Sequence, residues 1–220
     1  MDENILARYN SDEGADDYLH KFERHWTERV NNWHEQRLIR RLLSSVTSEN
    51  CKGLALDVPC GYGRLYSTVR DLGMPVVESD WSFPLLAAAR TIHARRYGLE
   101  LAQNYVRATA LALPFDSRAF EFVISARLSH HIREREQRLL HLQELLRVSR
   151  KWAMFTYFDA ASVKNRMHEF SRRFRHKRAK WTLTFAEVQS VGRVEGFEII
   201  RWAWISRFFS GHRYVLMRRR

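Results

Sequence analysis

No apolar run in the sequence approaches the roughly 20 residues that a bilayer-crossing helix needs, so hydropathy excludes a helical membrane span. Cysteine is nearly absent, with only Cys51 and Cys60 among 220 residues. A disulfide framework is therefore excluded as the source of stability, and a reducing, cytoplasmic setting is the expectation. The opening stretch MDENILARYNSDEGADDYLH is acidic and polar, the reverse of a secretory leader, so none is expected. Repeats, low-complexity tracts and an interdomain linker are missing as well. What remains is one domain of ordinary globular composition, 45% hydrophobic and 28% charged.

Acidic residues are scarce in one region only. Residues 161–220 hold 15 Lys/Arg against 4 Asp/Glu, a surplus of 11 in a chain whose net charge is +12. The first 160 residues are nearly neutral, and the last third sets the positive field.

The apolar pattern alternates between two periods. Residues 16–47 carry apolar positions at helical spacing, from Tyr18, Leu19, Phe22 and Trp26 to Leu42, Leu43 and Val46, which predicts two helices or one bent one. Strands are predicted at 53–58, 74–80, 103–108, 120–126 and 151–158, with helices over 83–97 and 133–149. Ser82 and Gly98 are the expected caps of the first of these helices. A basic helical stretch over 162–180, a short helix over 184–196 and a terminal hairpin complete the chain. Alternating strands and helices imply a doubly wound, Rossmann-like α/β sheet of seven strands, the last an antiparallel edge strand.

The stretch LDVPCGYGRL (56–65) runs from an apolar strand through two glycines into a helix, which suits close backbone approach to a ligand. A phosphate-cradling P-loop requires Lys and Ser/Thr after its last glycine; Arg64 and Leu65 stand there. A dinucleotide fingerprint requires a third glycine, and that position is Tyr66. A nucleoside ligand without phosphates remains, as does an ordinary strand–helix turn. Asp57 ends the first strand, where a carboxylate suits a cationic group. Asp80 ends the second, where an acid accepts from ribose hydroxyls, and Trp81 follows it.

Taken in order, LDVPCGYGRL, VVESDWSFPLLAAAR, ATALALPFDSRAFEFVISARLSHHI and FAEVQSVGRVEGFEI resemble the successive motifs of class I S-adenosylmethionine-dependent methyltransferases, of the small-molecule type with an LPF segment and paired histidines. The resemblance spans about residues 50–200. It implies S-adenosyl-L-methionine as cofactor, with Asp57, Cys60, Gly61, Gly63 and Arg64 around its methionine part. Asp80 would take the ribose, with Trp81 beside the adenine and the backbone of Ala110 and Leu111 at the adenine edge. Arg127 joins these expected contacts. Most relatives place an acid where this chain has Thr109, whose hydroxyl accepts more weakly from the adenine amino group. A cofactor-binding relative without catalysis is the competing class. The chain divides on this reading into a helical segment or lid over 1–50 and a methyltransferase domain over 51–220 with a basic insertion at 162–180.

Methyl transfer from a sulfonium needs in-line positioning, and an oxygen or nitrogen acceptor also needs a base. His131 and His130 follow the fourth strand at the carboxyl edge and are the candidates, each also readable as a packing residue. Tyr157, Asp159 and Arg127 are placed to orient substrate; Tyr18 is the candidate contact from an N-terminal lid that also carries Tyr9, Trp26 and Trp33. Six Lys/Arg and no acid lie within 171–180. Arg172, Arg173 and Arg175 are the expected contacts to an anionic small-molecule acceptor, with RNA or an acidic membrane surface as alternative partners. No metal is called for.

Overall fold

Strands without a polar face take the middle of the sheet. β1 (Ala55–Asp57) and β4 (Phe120–Ser125) are buried at every position, as strands covered on both faces must be. The computed structural model describes residues 26–47, 49, 51–98, 104–172, 181–206 and 210–220. β2 (Val76–Asp80) and β3 (Tyr105–Arg107) extend the sheet on one side of β1. On the other side β4 leads to β5 (Ser149–Asp159), β8 (His212–Arg219) and β7 (Phe197–Trp204), so the order is β3-β2-β1-β4-β5-β8-β7. β8 runs antiparallel to both of its neighbours. The doubly wound architecture with an antiparallel last strand is as expected, with two differences. β8 is not the edge: its Tyr214–Met217 run is fully buried and sits inside the sheet, and the half-exposed β7 takes the edge. A two-residue strand, β6 (Thr182–Leu183), pairs in parallel with the end of β5 and makes the count eight.

Helices cover both faces. α4 (Arg135–Val148) and α6 (Phe185–Val194) pack over Leu56, Val123, Phe155 and Val215, and the opposite face carries α1 (Trp26–Thr47) and α2 (Tyr66–Arg70). α1 is one continuous helix. Its Ile39, Leu42, Leu43 and Val46 lie against Phe122, Ile124, Trp152 and Met154, each side chain contributing about 1.5–3 kcal/mol by burial. This half of α1 is core. The first half exposes Trp26 at 75% and Trp33 at 55%, so neither ring covers the sheet edge. Tyr9 and Tyr18 lie outside the described residues.

Local chemistry starts and stops the remaining helices as the sequence suggests. Ser82 accepts from Leu85 N–H at the start of α3 (Phe83–Tyr97), and Gly98 closes it. Thr184 and Glu187 form a reciprocal capping box on α6. α5 (Val163–Arg172) begins the basic insertion, whose remainder over 173–180 lies outside the described residues. Among the described residues no helix is long and apolar enough to cross a membrane.

Register decides what meets at the carboxyl edge. Asp57 stands beside Glu78 on one side and Ile124 on the other, and Asp80 beside Arg107. Three acids therefore gather around the loop that leaves β1.

Candidate active site

The glycine loop is braced from below. Gly61 and Gly63 adopt φ of 60° and 79°, the region glycine enters freely. Asp80 accepts from Gly61 N–H at 2.8 Å through one oxygen and from Ser82 N–H at 2.8 Å through the other. One carboxylate thus ties the loop to the start of α3. Each oxygen keeps a second lone pair, so Asp80 can still accept from a ribose hydroxyl. Burial pushes its pKa up, against these backbone hydrogen bonds.

Gly63 has a further reason to be glycine. A Cβ there would lie 2.2 Å from the His93 ring, so a packing partner also demands the small residue. His93, from α3, stacks on Tyr66 with ring centroids 4.1 Å apart. Its Nδ1 lies 2.7 Å from the Tyr105 hydroxyl and 3.2 Å from Glu78 Oε2. Tyr66, filling the place of a third glycine, is explained by this stack. The sequence reading missed His93 and Glu78. The one visible signal was an acid in the middle of the apolar VVESD strand.

Asp57 is the unsatisfied member. It is 1% exposed, and neither carboxylate oxygen has a hydrogen-bond partner among the described residues. Burial, then the Glu78 and Asp80 carboxylates, push its pKa well up, with Arg64 opposing. A buried acceptor without a donor is costly, and a cationic donor arriving from outside repairs it. Cys60 contributes no charge: its buried thiol is held protonated by desolvation and the same acids, and it points at Gly61 O at 3.4 Å.

Arg64 and Arg127 converge on a residue that the sequence reading did not single out. Glu35 of α1, fully buried, takes Arg64 Nη1 at 2.7 Å, Arg127 Nε at 3.0 Å and Nη2 at 2.7 Å, and the Tyr214 hydroxyl at 2.6 Å. Burial alone would raise the Glu35 pKa; the two guanidiniums and the tyrosine hydrogen bond bring it down to about 2. Arg64 and Arg127 bring positive charge to this edge, and Asp57, whose carboxylate feels Arg64, supplies an acceptor nearby. Together they complement a zwitterion, which fits the methionine end of S-adenosylmethionine.

On the adenine side the expected groups are partly engaged already. Thr109 Oγ1 accepts from Leu111 N–H at 3.3 Å. The Ala110 carbonyl lies 3.0 Å from His141 Nδ1, which must therefore carry the proton, leaving Nε2 to accept from Ser125 at 3.0 Å. Burial holds this imidazole down at about 4. Trp81 is 41% exposed, with the Arg107 guanidinium 5.2 Å from its ring centre.

Beyond the end of β4 the backbone turns through Arg127, at φ 61°, into a 3-10 turn that carries His130 and His131. The two rings lie 4.0 Å apart, and His130 stacks on Phe158 at 4.2 Å and meets His212 edge-on at 4.8 Å. Two expected substrate contacts fall elsewhere. Tyr157 is fully buried in the core with Phe155 and Val188, because it faces α6 rather than the open edge. Asp159 is fully buried and pairs with Arg213 at 2.7 Å, and Ser162, not Asp159, caps α5. Arg172 ends α5, and Arg173 and Arg175 lie outside the described residues. Among the described residues no group of His, Cys, Asp and Glu is arranged to hold a metal ion.

This geometry has relatives. Residues 56–155 match the protein family described as Methyltransferase domain. An Encephalitozoon cuniculi protein named as a methyltransferase is 28% identical over 173 residues, 78% of this chain and 70% of that protein. The tRNA (carboxymethyluridine(34)-5-O)-methyltransferase alkbh8 of Xenopus tropicalis is 33% identical over 98 residues, 44% of this chain but 14% of that protein. The crystal structure of magnesium protoporphyrin IX methyltransferase from Synechocystis, with bound S-adenosylhomocysteine, superposes with a TM-score of 0.80 over 100% of both chains; at 16% identity the fold is what they share. Residues 56–155 form a methyltransferase domain of the S-adenosylmethionine-dependent kind. S-adenosylmethionine is its cofactor.

Proposed function

We propose that the methyl group goes to an oxygen or nitrogen atom of an anionic small molecule. The cofactor supplies a methyl on a cationic sulfur that departs as a neutral thioether. The chain's own task is to hold the acceptor in line, exclude water and take a proton where the acceptor has one to lose. The observation carrying this reading is the positive charge around the histidine turn: after burial, Arg127, His131 and Lys164 of α5 all act to lower the His212 pKa. The sequence adds to this a surplus of 11 positive charges over residues 161–220. His131 is the proposed base, half-exposed at the turn, with its backbone N–H donating to Leu128 O at 2.8 Å. His130 is packed against Phe158 and acts by holding it.

A second reading, transfer to RNA, is favoured by the alkbh8 relative and by the same basic surface. Incubation with methyl-labelled cofactor tests both, using a metabolite extract in one arm and total tRNA in the other. Label in the low-mass fraction is expected, with a Michaelis constant that rises with salt, since charges are screened beyond about 8 Å at physiological ionic strength. Label in tRNA alone overturns the small-molecule reading. Label in the lipid fraction, with sedimentation on anionic vesicles, moves the acceptor to a membrane surface.

A further inference from the structure

One face of α4 grips the backbone of the loop that follows β3. His141, Glu144 and Arg147 are spaced three apart and rise along one side of the helix. Glu144 Oε2 accepts from Leu113 N–H at 2.9 Å, and Arg147 donates to the carbonyls of Leu113 at 2.9 Å and Phe115 at 2.8 Å. An ion pair of 2.8 Å between Arg147 and Glu144 joins these two grips. The third is His141, fully buried, whose Nδ1–H donates to Ala110 O at 3.0 Å. Leu142 and Leu145 on the same helix fill the core with carbon alone. The imidazole at 141 does more than fill space: it holds one particular peptide.

Holding that peptide has a direction. A trans peptide is planar and carries its C=O and the following N–H on opposite sides. With the Ala110 carbonyl drawn to α4, the Leu111 N–H is turned the other way, where it donates to Thr109 Oγ1 at 3.3 Å. That bond is longer than the usual range, and such an N–H can be shared with a second acceptor. The turn thus presents a donor, Leu111 N–H, beside an acceptor, Thr109 Oγ1. The base-pairing edge of adenine offers the converse, an acceptor at N1 beside a donor amino group. Hypoxanthine has the reverse pattern, N1–H beside a carbonyl, and would suit the same peptide flipped, with Ala110 O in place of the N–H. The sense of the His141 bond is fixed as well. Its Nε2 accepts from the Ser125 hydroxyl at 3.0 Å, and burial holds the ring uncharged, with its pKa down at about 4. At neutral pH the proton stays on Nδ1.

We propose that His141 is a positioning residue that sets cofactor specificity: by holding Ala110 O it locks the Ala110–Leu111 peptide in the orientation that accepts adenine and rejects a 6-oxopurine. This rests on the adenine edge lying at residues 109–111 and is independent of which acceptor is methylated.

The probes are S-adenosylhomocysteine and S-inosylhomocysteine, which differ only at that edge of the base, each titrated into the full chain by calorimetry. The parent is expected to prefer the adenine compound by about 10- to 100-fold, since the wrong pattern leaves donors and acceptors unpaired. His141→Leu should bring that ratio to about threefold or less. His141→Asn, whose amide N–H takes the place of Nδ1–H, should keep most of the preference. His141→Gln, whose amide reaches the place of Nε2 instead, should lose it. Should thermal unfolding show that His141→Leu does not fold, the Asn and Gln variants decide alone. Leu142→Ala loosens the same helix without touching the peptide, so it should leave the ratio where it was. An unchanged ratio in every folded His141 variant, or an equal fall in Leu142→Ala and His141→Gln, overturns the lock. If Thr109→Asp still tightens S-adenosylhomocysteine in that case, the adenine edge stands and only the role of His141 falls. If neither position matters, the adenine lies elsewhere and both readings fall.

Discussion

Arg127 closes a two-point fork on the Glu35 carboxylate, Nε at 3.0 Å and Nη2 at 2.7 Å, joining positions 92 residues apart. Through this contact α1 is fastened to the edge where β4 ends. A non-glycine residue at φ 61° is strained by about 1–3 kcal/mol. Arg127 stays there because its N–H donates to Thr156 Oγ1 at 2.7 Å while Glu35 holds its side chain. Arg64 on the same carboxylate carries the tie to the glycine loop.

Glu35→Gln removes the charge that Arg64, Arg127 and the Tyr214 hydroxyl share. Breaking a buried pair in this way costs about 3–5 kcal/mol, readable as a lower denaturant midpoint. Acid should show the same link. The Glu35 pKa is about 2 in the folded chain against 4.5 for an ordinary glutamate, so the folded state binds fewer protons between those values. Its stabilisation, about 3 kcal/mol, is present above pH 4.5 and is lost as pH falls toward 2. The variant should unfold with a shallower dependence on acid; an unchanged acid profile would sink this account of Glu35.

Asp57→Asn acts in the opposite sense. Burial raises the Asp57 pKa, so its charge destabilises the cofactor-free fold increasingly as pH rises toward the folded value. The variant should therefore gain thermal stability over the parent, with a gap that opens as pH rises above the ordinary aspartate range and stops growing above the folded value. It should also bind S-adenosylhomocysteine more weakly, by about 1–3 kcal/mol for the lost charged acceptor. Calorimetry showing full affinity would remove Asp57 from the cofactor site.

Gly63→Ala tests the packing beneath the loop. The new methyl group meets the His93 ring at 2.2 Å on a backbone at φ 79°. A cost of about 1–3 kcal/mol follows from overpacking, with the strained backbone adding to it. His93→Ala should relieve the steric part, so the double variant should lose less than the sum of the singles. Strict additivity in a double-mutant cycle would show that the backbone alone decides this glycine.

How much was legible in the sequence follows from where each signal lives. Ser82, Gly98 and Thr184 act on their own helices, so local pattern was enough to find them. The central strands were legible because burial on both faces writes itself as an unbroken apolar run. Glu35 was not, since it looks like one more charge on a polar helix and its partners come from positions 64, 127 and 214. The place of β8 was misjudged for the same reason: chain order made it last, whereas the burial of Tyr214–Met217 put it inside. Tyr157 and Phe158 are neighbours on one strand, and only the tertiary packing tells which of them faces the core and which meets His130 and His212.

Thr109→Asp is the change expected to improve the protein. Thr109 Oγ1 already accepts from Leu111 N–H at 3.3 Å, and an aspartate keeps that turn with one oxygen. Its second oxygen is then available to a donor outside the turn. With the Ala110 carbonyl committed to His141, we expect the side chain at 109 to be the acceptor that meets the adenine amino group. Charge-assisted hydrogen bonds are about twice as strong as neutral ones, so S-adenosylhomocysteine should bind about tenfold more tightly. Adenosine, which shares the base but lacks the amino acid, should gain by the same factor. A gain for S-adenosylhomocysteine without one for adenosine would place the new charge near the methionine end, and no gain for either would remove residue 109 from the adenine edge.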